Sequence, residues 1–171
     1  MKHMLVATGV LGFVSAAASS APAQEDLEKV AGWNGEWSLE LWGRDSKGGE
    51  EWTTKGVGEQ HQIGDFCVWN GKWTAPDGKG MSYVGITGYD PAKKEYFGVG
   101  CRSDGSRETS VITFRDKSMI VDGTNTMATG ETVRVRCTWP VPPKDEYEGK
   151  CETFTDGEWW VSGTEKGIRV K

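Results

Sequence analysis

Histidine is nearly missing from this chain of 171 residues: His3 and His61 are the whole supply. That scarcity closes off most arrangements in which a serine or cysteine nucleophile leans on a histidine base. Basic charge is also short, since 20 Lys and Arg stand against 25 Asp and Glu for a formal net charge of −5. Phosphate neutralisation needs a concentrated Lys/Arg surface, so general nucleic-acid binding is disfavoured as a class. The chain contains no H-E-x-x-H, no Walker loop, no G-x-S-x-G elbow and no G-x-G-x-x-G feeding a helix. Gly56-Val57-Gly58 and Gly98-Val99-Gly100 fall inside strand-like runs, where glycine marks bends or bulges. Glu50-Glu51 beside a Gly-rich turn, and Glu148 and Glu152 around Lys150, read as solvated faces with no glycosidase spacing. No catalytic residue, metal ligand or cofactor is assigned.

Long apolar runs are scarce too. The single one, Met4 to Ala18, follows Lys2 and His3 and leads to Ala21-Pro22-Ala23. A positive n-region, a short apolar stretch and an A-x-A exit describe a secretory signal peptide over residues 1–23, cleaved before Gln24. An uncleaved anchor is the other reading, although the stretch is short of the about 20 apolar residues of a membrane span. Residues 24–171 then form one domain in the periplasm or outside the cell. Cysteine is limited to Cys67, Cys101, Cys137 and Cys151. An even number in an exported chain points to two disulfides, and none of the spacings is the tight C-x-x-C of a zinc site.

Beyond a short helix over Glu25 to Ala31, ended by Gly32, helix signals vanish. What remains is short runs of Val, Ile, Thr and aromatic residues between Gly, Asp, Asn and Pro clusters. Trp37 to Trp42 and Glu131 to Trp139 alternate apolar and polar, the period of half-buried antiparallel strands. Strands are predicted near 36–43, 51–60, 65–74, 81–89, 95–102, 108–115, 118–122, 131–139, 147–155 and 158–165. Asp77-Gly78, Asp104-Gly105, Asp122-Gly123 and Asp156-Gly157 supply turn chemistry between them. Consecutive hairpins of this kind close on themselves to remove exposed edges, so the fold class is all-β. The expected form is an antiparallel up-and-down barrel of about 8–10 strands, with an open sandwich as its rival. Cys137 and Cys151 flank one hairpin and form the first disulfide; Cys67 with Cys101 is the remaining pair, across an intervening strand.

Two local patterns carry a resemblance. Gly35-Glu36-Trp37 resembles the G-x-W signature of lipocalin-like (calycin) barrels, whose tryptophan plugs the closed end. Gly88-Tyr89-Asp90-Pro91, continuing to Tyr96, is similar to a hairpin of a bacterial exported family of unknown function with a lipocalin-like fold. Ile63-Gly64-Asp65-Phe66 resembles that family's L-G-G-R-F strand opening. The likeness runs over roughly residues 27–165 in the order of elements. It implies a calycin barrel in which a basic residue of the tail, Arg169 or Lys171, packs on Trp37. The four cysteines and the loop Pro140-Val141-Pro142-Pro143 depart from the family pattern.

Nine tryptophans exceed what a barrel of this size requires. Trp159 and Trp160 are adjacent and must face opposite ways within one strand. One function is burial of a small apolar or amphipathic ligand, with Trp69, Trp73 and Phe97 as interior surface. Arg134 or Arg136 would meet an acidic head group if a bulge reverses parity locally. A second class is a carbohydrate- or protein-interaction module presenting Trp42 or Trp160. A third is an enzyme using His61 beside Glu59 in a barrel-mouth cleft.

Overall fold

The computed structural model describes residues 28, 30–141 and 144–170. The leader, most of the expected helix, Pro142-Pro143 and Lys171 lie outside the described residues; of the helix, Glu28, Val30 and Ala31 are helical. From Gly35 onward the chain alternates strand and turn: β1 (Gly35–Arg44), β2 (Glu51–Ile63), β3 (Phe66–Thr74), β4 (Gly80–Asp90), β5 (Glu95–Arg102), β6 (Arg107–Arg115), β7 (Ser118–Thr126), β8 (Thr132–Pro140), β9 (Glu146–Thr155) and β10 (Glu158–Arg169). Every strand pairs antiparallel with its sequence neighbours, and β10 returns to pair with β1, Trp37 opposite Arg169 and Gly43 opposite Gly163. The sheet is therefore a closed barrel.

Turn chemistry decides where the chain reverses. Asp156 and Gly157 both take positive φ, 53° and 84°, the backbone of a tight two-residue hairpin. Asp90 caps the β4–β5 turn by accepting from the Ala92 and Lys93 amides at 3.0 and 3.2 Å. Tyr89 and Tyr96 sit opposite each other beyond that turn with ring centroids 4.9 Å apart. Asp122-Gly123 corrects the expectation from sequence: it lies within β7, with Asp122 opposite Val111 on one side and Arg136 on the other. The Arg136 guanidinium satisfies Asp122 across the strands at 2.6 Å, and the reversal falls later, where Gly130 takes φ 90°.

One end of the barrel is closed by aromatics. Trp37 is fully buried, and with Trp33, Leu39 and Tyr147 it forms a floor. Its indole N–H donates to the Trp33 carbonyl at 2.8 Å. The Arg169 guanidinium lies over the Trp37 ring, 4.3 Å from its centroid, and donates to the Asn34 and Gly32 carbonyls at 2.6 and 2.8 Å. Gln60 completes the strap by donating to the Val30 carbonyl at 2.7 Å. The turn preceding β1 is thus tied across the barrel end by side chains from β2 and β10. A second cluster, Tyr96 and Ile112 with Phe114 and Met119 against them, fills the opposite side of the same end.

Glycine on the inner wall makes room for rings. Trp139 lies over Gly149, and Tyr83 lies over Gly85 and Gly100, so these aromatics rest along the wall. A methyl group at Gly149 would overlap the Trp139 indole. Gly149→Ala is expected to destabilise the barrel by about 1–3 kcal/mol, the usual cost of overpacking. Equilibrium urea denaturation checks this; an unchanged midpoint would show that the ring is free to leave the wall.

Candidate functional site

Strand register sorts the residues that sequence analysis nominated. Trp69 and Trp73 lie on the inner wall, in line with Gln60 and Gly56 of β2. Phe97, Arg134 and Arg136 lie on the outer wall, which corrects their expected place at an internal ligand. Phe97 pairs with Gly88 and packs on Phe66 outside, because β4 and β5 keep unbroken register. No bulge reverses β8: its inner residues are Val133, Val135, Cys137 and Trp139, and the two arginines stack on Trp159 outside, at 5.4 and 4.5 Å from the ring centroid. Trp160 faces inward beside them.

Cys137 and Cys151 are directly opposite and disulfide-bonded. A disulfide in the barrel wall suggests maturation outside the reducing cytoplasm. The second expected bridge is absent: Cys67 is buried on the inner wall while Cys101 is exposed on the outer one, so the sheet separates them. Burial pushes the Cys67 thiol up from its ordinary pKa, which keeps it unreactive. His61 lies on the outer face of β2 opposite Val68, with a buried Nδ1 that has no hydrogen-bond partner among the described residues. Among the described residues no group of three or more His, Cys, Asp or Glu side chains is placed to hold a metal ion. No helix among them is long and apolar enough to cross a membrane.

Above the floor, the wall is aromatic and only partly covered. Val121, Gly123, Val135, Cys137, Cys151 and Thr153 all point inward, and all keep some solvent exposure. These residues of β7, β8 and β9 are thus only partly buried, in contrast to the floor. Two tyrosine–glutamate pairs project into this space. Tyr83 of β4 donates to Glu108 of β6, whose other oxygen meets the Arg102 guanidinium at 3.3 Å; Arg102 also donates to Asn125. Tyr147 of β9 donates to Glu165 of β10. Burial raises the pKa of both phenols, and the neighbouring carboxylate raises each further. Enclosure by protein pushes the Glu165 carboxyl above its ordinary value, an effect the Tyr147 hydrogen bond opposes.

Sequence reasoning missed Glu165 for a definable reason. Register shifts between Val161 and Gly163, so that Trp160 and Glu165 both face inward although five positions apart. Strict alternation from Trp160 would send Glu165 outward. Tyr83, Arg102 and Glu108 were visible in principle, since unbroken alternation from Trp73 across neighbouring hairpins leads to them.

At the other end, β1 stops pairing with β10 at Gly163, leaving the tip of the β9–β10 hairpin free on that side. A cleft of about 540 Å³ opens there, lined by Trp42, Arg44, Lys47, Gly48, Trp160 and Val161. Lys47 bridges it to Glu158, and Arg44 is held by Glu51. Trp42 and Trp160, the two tryptophans nominated for exposure, are half-buried and share this cleft from outside and inside the wall.

No protein-family model and no curated protein sequence matches the chain. Solved structures do. The crystal structure of Rv2717c from M. tuberculosis superposes with a TM-score of 0.63 at 14% identity, covering 88% of this chain and 99% of that one. At that identity the likeness establishes a common barrel fold and nothing chemical. A de novo designed fluorescence-activating β-barrel aligns with a TM-score of 0.41 at 16% identity over 83% of this chain and 98% of its own.

Proposed function

We propose that this chain is an exported, periplasmic or secreted lipocalin-like protein of the bacterial family named above, and that it holds a small apolar or amphipathic molecule in the barrel lumen. The observation that carries the reading is the contrast along the barrel axis: a floor sealed by Trp37, Leu39 and Tyr147 beneath inward residues of β7, β8 and β9 that are only partly buried. A pre-formed concave space, aromatic walls and a few polar groups are what a small-molecule site requires. Trp69 and Trp73 supply apolar wall, and the rim cleft beside Trp160 supplies the way in.

A second reading, a sugar or protein platform, is favoured by the pairing of Trp42 with Trp160 in the rim cleft. One titration separates the two. The neutral dye N-phenyl-1-naphthylamine is expected to bind the intact protein with quenching of tryptophan emission. Trp73→Ala, which strips lumen wall, is expected to weaken it by about tenfold, roughly the worth of an apolar contact of that size. Trp159→Ala on the outer wall serves as the control. Absence of dye binding, with no mass retained in native mass spectrometry of protein from its own host, removes the lumen reading. Loss of binding in Trp42→Ala but not Trp73→Ala transfers the site to the rim.

A further inference from the structure

Charge on the inner wall is unbalanced in a way that specifies the ligand. Between the floor and the rim, register places three charged side chains of the described residues inward: Arg102, Glu108 and Glu165. Arg102 and Glu108 neutralise each other. Glu165 receives a hydrogen bond from Tyr147 but, among the described residues, no ion pair. No strand lysine shares that wall, because Lys55, Lys72, Lys150 and Lys166 all register outward. Enclosure without a counter-charge favours the neutral carboxyl, and a cation brought beside it stabilises the charged form.

The surroundings of Glu165 suit a cation. Its cross-strand neighbours are Leu41 and Gly149, and the Trp139 indole lies over Gly149. The Tyr147 ring is adjacent, its hydroxyl donating to Glu165. Aromatic faces attract positive charge. An acidic head group would instead meet two carboxylates and one guanidinium already engaged with Glu108 and Asn125.

We propose that the lumen ligand is a small organic cation, a protonated amine on an apolar body, whose charge rests against the Glu165 carboxylate and whose body lies on the tryptophan wall. This assignment rests on the lumen-binding reading above and gives it a sign. Its test is a charge series on one aromatic frame, 2-naphthylmethylammonium, 2-naphthylmethanol and 2-naphthoate, titrated calorimetrically into the full disulfide-bonded protein. The amine is expected to bind about tenfold or more tighter than the alcohol, and the carboxylate weakest. In Glu165→Gln the amine-to-alcohol ratio falls to about one. Glu148→Gln, on the outer face of the same sheet, keeps it. Equal binding of amine and alcohol, tighter binding of the carboxylate, or a ratio that survives Glu165→Gln overturns the cation assignment while leaving a neutral lumen site in place. Binding of none of the three overturns both.

Discussion

Trp37→Ala is expected to remove about 3–5 kcal/mol of folding stability, the range for deleting a buried indole from a core that relaxes only in part. Trp37 has no solvent exposure, and four separate contacts converge on it. Tyr147 and Trp33 pack at ring-centroid distances of 5.0 and 5.9 Å, Arg169 stacks on its face, and its N–H ties it to the Trp33 carbonyl. Truncation leaves a cavity at the barrel floor and strands the guanidinium without its aromatic surface. Since single domains are stable by only about 5–15 kcal/mol, such a loss is a large share of the total. Urea denaturation followed by far-ultraviolet circular dichroism measures it. Trp37→Phe, which keeps a ring but not the N–H, is expected to lose less. A loss below about 1 kcal/mol for the alanine variant would mean that the floor does not organise the barrel.

The second large effect is expected from the disulfide. Cys137 and Cys151 are 14 positions apart and join β8 to β9 directly across the ladder. Cross-linking a loop of that length restricts the unfolded chain, an effect of about 3 kcal/mol in the chain-entropy account. The Cys137→Ala/Cys151→Ala double variant is expected to lose about that much, with a steeper denaturant dependence because its unfolded state is more expanded. Thiol labelling provides an independent check. The native protein should expose Cys101 to reagent and withhold Cys67, and the denatured, unreduced chain should yield both. A single thiol, or none, in the denatured chain would disprove the observed pairing.

Much of the architecture was legible in the sequence. Ten strands were expected and ten are found, because a period of two with turn-residue punctuation has few other physical solutions, although β7 runs past its expected end at 122 to Thr126 and β10 past 165 to Arg169. Asp122-Gly123 shows the limit of that argument. The dipeptide carries the local chemistry of a turn, but ladder hydrogen bonds on both sides and the Arg136 ion pair hold it extended. Local preference was outweighed by pairing. Cys67 and Cys101 show a different limit: the faces of two different strands can be related only through register.

The candidate site was the least legible part. Trp69 and Trp73 fall on the lumen as alternation within β3 implies, whereas Phe97 obeys its own alternation and ends up outside. The inside of a barrel is not marked in sequence when outer residues such as Val84, Ile86 and Val99 are as apolar as inner ones. Glu165 was hidden more thoroughly, because the irregularity at Val161 to Gly163 breaks the parity on which such readings depend.

The amino-acid sequence by itself determined most of the strands and turns and the Cys137–Cys151 pairing, since each depends on residues near one another along the chain, while the sealing role of Trp37 was implied by the calycin resemblance. Tertiary structure alone decided which wall each strand turns inward, that Cys67 and Cys101 stay apart, and that Glu165 faces an aromatic lumen with no ion-pair partner among the described residues. Those outcomes depend on register summed around a closed sheet, where one extra residue in β10 reverses every side chain that follows it.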